Sequence, residues 1–130
     1  MTSANDSLIG AIPAHVIDEA RVVQTHYDGR VAECNVAAWL QLPGLANLPV
    51  SLLMSYMDGE QRREVAVEHA KVGAQGKVLM SGIARLPVQQ KIRQLTVVLR
   101  SAVPARGLIV EELFVQAVEP ATTKLQQARG

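Results

Sequence analysis

Cysteine and aromatic residues are scarce in this chain of 130 residues. It contains one cysteine, Cys34, together with one tryptophan, one phenylalanine and two tyrosines. A single cysteine excludes an intramolecular disulfide framework and is typical of a reducing compartment. Four aromatic side chains are too few for the stacking platform that binds single-stranded nucleic acid. We therefore expect no nucleic-acid partner.

Long apolar runs are absent as well. No run approaches the roughly 18 residues that would span a bilayer. Residues 1–13 carry Asp6 but no Lys or Arg before a short apolar stretch, unlike a secretory signal. The chain is nevertheless 48% hydrophobic with a net charge of +1, which excludes a disordered polymer. We expect one soluble, cytoplasmic domain with no membrane partner.

The charges are segregated along the chain. Residues 1–68 hold nine acids and four bases, whereas residues 69–110 hold seven bases and no acid. The simplest interpretation is a solvated sheet face. The alternative is a docking surface for an acidic partner, or for the acidic N-terminal part of a second copy.

Local signals predict a hairpin followed by helices. Asp28-Gly29 stands between apolar segments, as in a tight β-turn. Asn35 can cap a short helix that Pro43-Gly44 ends, because its side chain accepts a hydrogen bond from an unpaired backbone N–H. A second helix is predicted over residues 48–57, with Pro49 in its first turn.

A longer helix is predicted from Asp58, with acidic residues in its first turn. Val65, His69 and Val72 fall on one stripe of that helix, and Gly73 follows it. From residue 77 onward, three segments rich in Val, Ile and Leu predict three long strands that pair as hairpin neighbours. This order predicts an α+β domain, a single antiparallel sheet of about five strands with helices on one face.

The order and spacing of these motifs resemble the PAS family of sensory domains. HYDGRVAECNVAAWLQL resembles the opening hairpin of that family, and DGEQRREVAVEHAKVGAQGK resembles its long connecting helix and the turn after it. The strands of residues 77–118 and the segment VEPATTKLQQA resemble its closing strands and the start of an output helix. The resemblance implies a PAS-like domain at residues 14–118. Residues 1–13 would then be a flexible segment or cap, and residues 119–130 a polar tail or the beginning of an output helix.

The resemblance raises the question of a cofactor, and we predict none. The flavin-binding members need a reactive cysteine within a helix motif, whereas Cys34 is at the end of a predicted strand. Haem-binding members carry a histidine on the long helix, where His69 falls. Its neighbours Glu68 and Lys71 are unlike an apolar haem wall, so haem bound through His69 is not predicted. No metal site and no catalytic constellation can be identified, and we predict that the protein is not an enzyme.

Two groups of residues are candidate sites. An apolar pocket between helices and sheet would be lined by Trp39, Met54, Met57, Val65, His69, Leu79, Leu95, Val97 and Leu113, unless these side chains simply pack against one another. Trp39, on the short helix, should then be buried. An interface would involve Leu8, Ile9, Val110 and Phe114, with residues 7–17 of the same chain or of a second copy covering the sheet face that carries Phe114.

The expected function is a sensory or protein-interaction module in signal transduction. It would form a homodimer, with an effector domain or signalling protein as its partner and an apolar small molecule as its ligand. The alternative is a small cone-shaped α+β enzyme or a lipophilic-ligand carrier. Strand order separates the two, because a PAS sheet places its first two strands at the centre, beside the last strand.

Overall fold

The described part of the protein consists almost entirely of β-strands. The structure, a computed structural model, describes residues 5–16, 22–25 and 29–118. The strands within these ranges are β1 (Asn5–Ala11), β2 (Val22–Thr25), β3 (Gly29–Gln41), β4 (Pro49–Asp58), β5 (Gln61–Lys71), β6 (Lys77–Pro87), β7 (Ile92–Ser101) and β8 (Ile109–Ala117). Within the same residue ranges, the only helical elements are two 3₁₀ turns, Ala14–Val16 and Pro43–Leu45.

The strands form two antiparallel sheets. The first sheet has the order β1-β7-β4-β5. In the second sheet β3 is central, with β6 along one edge. The other edge of β3 pairs with β2 at its beginning and with β8 over the rest of its length. The two sheets pack around one apolar core.

The predicted α+β architecture is wrong, because the segments expected to be helices are strands. Residues 35–42 belong mainly to β3, where Val36, Ala38 and Leu40 are buried and Asn35 and Trp39 are exposed. This alternation has the period of two that defines a half-buried strand. Short apolar runs fit either period, and pairing with β6 and β8 decides in favour of the strand.

The segments expected to form the second and third helices are β4 and β5. A two-residue turn, Gly59-Glu60, joins them, and Asp58 pairs with Gln61. Gly59 has a φ of 64° and is the only one of the two central turn residues with positive φ, the pattern of a type II′ hairpin turn. Asp58-Gly59 therefore ends a strand instead of starting a helix.

Two other predictions about the strands have different outcomes. The antiparallel pairing of β2 with the start of β3 confirms the predicted hairpin, although residues 26–28, where the turn is predicted, lie outside the described residues. The three long strands after residue 77 are confirmed as β6, β7 and β8. They are not hairpin neighbours, however, because β7 belongs to the first sheet and β6 and β8 to the second. Each connection between them crosses from one sheet to the other.

The N-terminal segment contributes a strand to the first sheet. β1 pairs with β7 along its whole length, from Asn5 opposite Ser101 to Ala11 opposite Thr96. Alternation along β1 places Ile9, which is 8% exposed, in the core, and a bulge lies between Leu8 and Gly10. The predicted tail or output helix at residues 119–130 lies outside the described residues.

Apolar side chains from both sheets fill the interior. The buried core consists of Ile9, Ala32, Cys34, Val36, Ala38, Leu40, Leu42, Leu45, Val50, Leu52, Met54, Tyr56, Val72, Met80, Ala84, Leu86, Val88, Leu95, Val97 and Leu99. The Cys34 thiol lies 3.6 Å from the sulfur of Met54, and burial raises the pKa of this thiol to about 11. The Tyr56 hydroxyl donates a hydrogen bond of 2.8 Å to the carbonyl of Pro87, which ties β4 of one sheet to β6 of the other.

A buried carboxylate holds two turns together at one end of the sandwich. Asp58, 2% exposed, accepts hydrogen bonds from the backbone N–H groups of Gln89 and Gln90 at 2.8 and 2.7 Å. The Arg63 guanidinium donates a further bond of 2.9 Å. Burial alone would raise the pKa of Asp58, but these donors outweigh it and hold the pKa below its usual value. The β4–β5 turn is thereby fixed to the β6–β7 connection.

Candidate functional site

The outward face of the second sheet carries the largest exposed aromatic and aliphatic side chains at its centre. We call this surface, formed by the outward side chains of β3, β6 and β8, the apolar face. On it Trp39 is 47% exposed, Leu79 45%, Ile83 60% and Phe114 48%. Trp39 and Phe114 are the only tryptophan and the only phenylalanine of the chain. Large side chains that usually lie in a core are thus presented to solvent on one surface.

Strand register makes this surface continuous. Trp39 on β3 lies directly opposite Leu79 on β6, and Ala37 lies opposite Phe114 on β8. Opposed residues of antiparallel strands have Cβ atoms about 4.5–5.5 Å apart, within contact distance for side chains of this size. The result is an apolar band that crosses all three strands.

A bulge in β8 sets one end of the face. Trp39 pairs with Glu112 and Leu40 with Val110, so that Glu111 is the extra residue. Val110 is consequently turned inward against the core, whereas Ile109 is 53% exposed. Strict alternation predicts Val110 on the side of Phe114 and Ile109 on the opposite side. The extra residue, Glu111, reverses the sides of the sheet on which Ile109 and Val110 lie, which is the usual effect of a bulge.

Polar and charged groups surround the apolar band. Arg85 on β6 donates a bond of 2.7 Å to Glu33 on β3. At the other end, Gln41 on β3 donates to Glu111. Trp39 and Leu79, with Lys77 and Glu111, line an open groove of about 290 Å³. An apolar centre with a polar rim is the usual composition of a protein interface.

The expected position of Trp39 is wrong. A short helix was expected to bury this side chain over the sheet, but Trp39 lies on β3 and points to solvent. The expected cover of the Phe114 face by residues 7–17 of the same chain is wrong as well, whereas cover by a second copy stays a prediction. Residues 5–11 form an edge strand of the first sheet, and Ile12 packs against the core. In the described part of the chain, the apolar face is left open.

The residues predicted to line a pocket do not come together. Met54, Leu95 and Val97 are buried in the core, and Val65 and Leu113 pack against it. The remaining members divide between the two outer surfaces: Trp39 and Leu79 on the apolar face, and Met57 and His69 on the first sheet. The predicted interface residues are also separated, since Leu8, 63% exposed, projects from the first sheet and Phe114 from the second. No sequence signal distinguished the two sheets.

A polar groove on the first sheet brings together a serine, a histidine and an arginine. Ser51 on β4 lies opposite His69 on β5, and Ser51 Oγ is 2.7 Å from His69 Nδ1. The groove, about 350 Å³, also borders Arg100. The serine and histidine resemble a nucleophile and its base, but catalysis also needs a donor for the developing oxyanion. Arg100 is already engaged by carboxylates and does not supply one.

Arg100 bridges two acidic side chains. Its Nε and Nη2 donate to the Asp6 carboxylate at 2.8 and 2.9 Å, and Nη2 donates to Glu64 at 2.9 Å. These hydrogen bonds raise the pKa of Arg100 further and lower that of Asp6. Arg100 and Arg85 both belong to the acid-free segment of residues 69–110. Part of that positive charge is therefore neutralised within the chain.

Metal clusters and membrane-spanning helices are both absent from the described residues. No group of three or more His, Cys, Asp or Glu side chains is placed to hold a metal ion. In the same residues, no helix has the length and apolar character needed to cross a membrane.

The chain was compared with models of protein families, with curated proteins and with solved structures. No family model, curated protein or solved structure matches it.

Proposed function

We propose that this protein is a non-enzymatic interaction module that forms a homodimer through the apolar face. The observation that supports this most directly is the position of Trp39 and Phe114, which lie on one sheet surface at 47% and 48% exposure. Extended apolar patches on soluble domains usually mark interaction sites. Tryptophan is also among the residues most enriched at the energetic centres of interfaces.

The size of the face is sufficient for a reversible dimer. Three strands about 4.8 Å apart give the face its width, and about ten residues along each strand give its length. These dimensions correspond to an area of about 500 Å² per copy. Two copies would bury about 1,000 Å² in total, which is near the lower limit of specific interfaces. This area predicts a dimer that dissociates on dilution instead of an obligate one.

Charge complementarity favours a second copy as the occupant. The two outer strands of the apolar face differ in sign: β6 carries Lys77 and Arg85, whereas the start of β8 carries Glu111 and Glu112. A two-fold axis parallel to β3 places β6 of one copy over β8 of the other. Lys77 then faces the glutamates of the other copy, and this contact occurs twice.

The other face-to-face arrangement is electrostatically worse. A two-fold axis perpendicular to the strands would place β6 over its own counterpart, so that Lys77 would lie near the Arg85–Glu33 ion pair of the other copy and would lose its contact with Glu111 and Glu112. With the axis parallel to β3, Trp39 of one copy packs near Trp39 of the other copy, because this residue lies on the central strand. The outer face of the first sheet stays free in this dimer, and it can receive an effector domain or a signalling protein.

The only tryptophan provides the test of this dimer. On dilution of the full chain, the emission of Trp39 should shift to longer wavelength as the dimer dissociates and water reaches the indole. Sedimentation equilibrium of the same samples should show the mass falling from dimer to monomer over the same concentrations. A monomeric mass at every concentration, with constant emission, would exclude the proposed dimer.

The orientation of the dimer can be tested by exchanging charges. We expect Lys77→Glu to weaken association by about tenfold, because two opposite-charge contacts become repulsive at about 0.5–1 kcal/mol each. Adding Glu111→Lys to the same chain should restore association. Sedimentation equilibrium measures all three proteins. If the double variant is weaker than Lys77→Glu alone, the two-fold axis is not parallel to β3.

A further inference from the structure

A strained residue in β7 turns an arginine out of the core. Leu95, Val97 and Leu99 are buried at alternate positions, so strict alternation would place Arg93 inside as well. Arg93 is exposed instead, and Ile92 packs against the core. The change occurs at Gln94, which has a φ of 54°. The register between β4 and β7 shifts at this point, between Ser55 and Met57.

The conformation of Gln94 is unfavourable for a residue that is not glycine. Left-handed backbone at such residues carries a cost and clusters at sites where a side chain must be held in a particular position. Bulges next to functional sites have the same effect of re-aiming a side chain. The side chain that this bulge moves is Arg93, which makes the surroundings of Arg93 a candidate binding site.

Arg93 shares its row of the first sheet with a second arginine. Met57 on β4 pairs with Arg93 on β7 and with Arg62 on β5. The two arginines therefore stand on either side of Met57, with Cα atoms about 10 Å apart, twice the spacing of neighbouring strands. Met57 is half-buried and forms an apolar floor between them.

Both arginines are anchored by neutral oxygen atoms. Arg62 Nη1 donates to the hydroxyl of Ser55 at 2.7 Å. Arg93 Nη2 donates to the carbonyl of Gly59 at 2.6 Å. These bonds restrict the two guanidinium groups without neutralising them. Each guanidinium has five N–H donors, so donors remain for a ligand.

The neighbouring carboxylates are occupied by other partners. Glu64 accepts from Arg100, and Asp58 accepts from Arg63 and from two backbone N–H groups. Glu60, in the β4–β5 turn, forms no ion pair with Arg62 or Arg93 within the ranges that the structure describes. The positive charge at this row is therefore not compensated by a direct partner.

We infer that Arg62 and Arg93 form an anion-binding site for a small molecule that carries more than one phosphate group. Guanidinium groups bind phosphate oxygens in a bidentate manner, and two of them on a rigid sheet can hold a chain of phosphates between them. The two guanidinium groups are anchored at Ser55 and Gly59, which are four positions apart along β4 and its turn, so a chain of phosphates spans both groups better than a single phosphate does. It lies on the first sheet, away from the apolar face, and it is independent of dimer formation.

The probe for this site is inorganic tripolyphosphate, measured by titration calorimetry on the full chain at low salt. We expect saturable binding of tripolyphosphate and at least tenfold weaker binding of orthophosphate. Arg62→Gln and Arg93→Gln should each weaken tripolyphosphate binding by at least tenfold, and sedimentation should show an unchanged dimer. The affinity of the wild type for tripolyphosphate should fall as the salt concentration increases. In Arg62→Gln and Arg93→Gln this fall should be less steep than in the wild type.

Arg106→Gln is the matched control, because Arg106 is an exposed arginine in the connection between β7 and β8. That connection follows the other end of β7, so the variant should bind tripolyphosphate as the wild type does. Circular dichroism checks that each variant is folded. Absence of saturable binding in the wild type would overturn the inference. An equal loss in Arg106→Gln would also overturn it, because it would show an effect of net charge alone.

Discussion

Phe114→Glu is expected to abolish dimer formation at concentrations where the wild type is dimeric. The phenylalanine is replaced by a charge that an apolar partner surface would have to bury. Truncating a central interface residue commonly costs about 2 kcal/mol or more, and a two-fold interface contains the residue twice. The total of about 4 kcal/mol corresponds to a roughly thousandfold increase in the dissociation constant. Sedimentation equilibrium over a concentration series measures this change.

Leu8→Glu is the control for this variant. Leu8 is also an exposed apolar residue, at 63%, but it lies on the outer face of the first sheet. The same new charge there should leave the dissociation constant unchanged. Both variants should retain monomer stability within about 1 kcal/mol, since both positions face solvent. If Leu8→Glu dissociates the dimer and Phe114→Glu does not, the docking surface is on the other sheet.

Asp58→Asn is expected to lower the free energy of unfolding by about 3 kcal/mol at neutral pH. The asparagine keeps the shape of the side chain but replaces an accepting oxygen with a donating NH₂ group. At least one of the two backbone N–H groups or Arg63 then loses its acceptor in a buried position. Unpaired buried donors and broken buried ion pairs cost about 1–5 kcal/mol. Urea denaturation monitored by circular dichroism measures the loss.

The pH dependence gives this prediction a second measurement. The pKa of Asp58 is lower in the folded protein than in the unfolded chain, so its contribution is complete above the ordinary pKa. Below about pH 4 this contribution falls as the carboxyl is protonated. The difference between wild type and Asp58→Asn should therefore shrink as the pH falls from 5 towards 2.5. A difference that stays constant would show that the charge of Asp58 does not contribute.

Asp6→Asn is the control for a carboxylate at the surface. Asp6 also accepts from an arginine and also has a lowered pKa, caused first by its hydrogen bond with Arg100. Its side chain is 45% exposed, and exposed pairs contribute about 0–1 kcal/mol. If Asp6→Asn lowers the free energy of unfolding as much as Asp58→Asn does, the large effect of Asp58→Asn cannot be due to the burial of Asp58.

The hairpin and the last three strands could be predicted from local sequence. Asp28-Gly29 indicates a turn between apolar segments, and the Val-rich texture after residue 77 is typical of strands. The same dipeptide at Asp58-Gly59 is ambiguous, because Asp58 and Glu60 also suit a helix N-terminus, and for this reason the sequence predicts a helix start there. A turn interpretation there would have predicted β4 and β5, since Val65 and Val67 alternate with Glu64 and Glu68.

The division of the strands between two sheets could not be predicted in the same way. The connection from β6 to β7 is as short as many hairpin loops, yet it crosses from one sheet to the other. Which strands pair depends on the burial of both faces at once, and no single segment carries that information. The apolar face was missed for this reason, because Trp39 was assigned to the core. The bulges at Glu111 and Gln94 depend on register and are equally inaccessible to local patterns.

The pairing of the first described strand with one near the other end of the chain has a consequence for folding kinetics. Asn5 pairs with Ser101, which is 96 residues later in the chain. One edge of β3 is unpaired over most of its length until β8 has been added. Closing such long loops has to precede most of the stabilising contacts, which slows folding in proteins with non-local topology. During synthesis neither sheet can be completed until β7 and β8 have left the ribosome. Until then the edges of β3 and β4 are open to other chains, so chaperone binding should matter most at this stage.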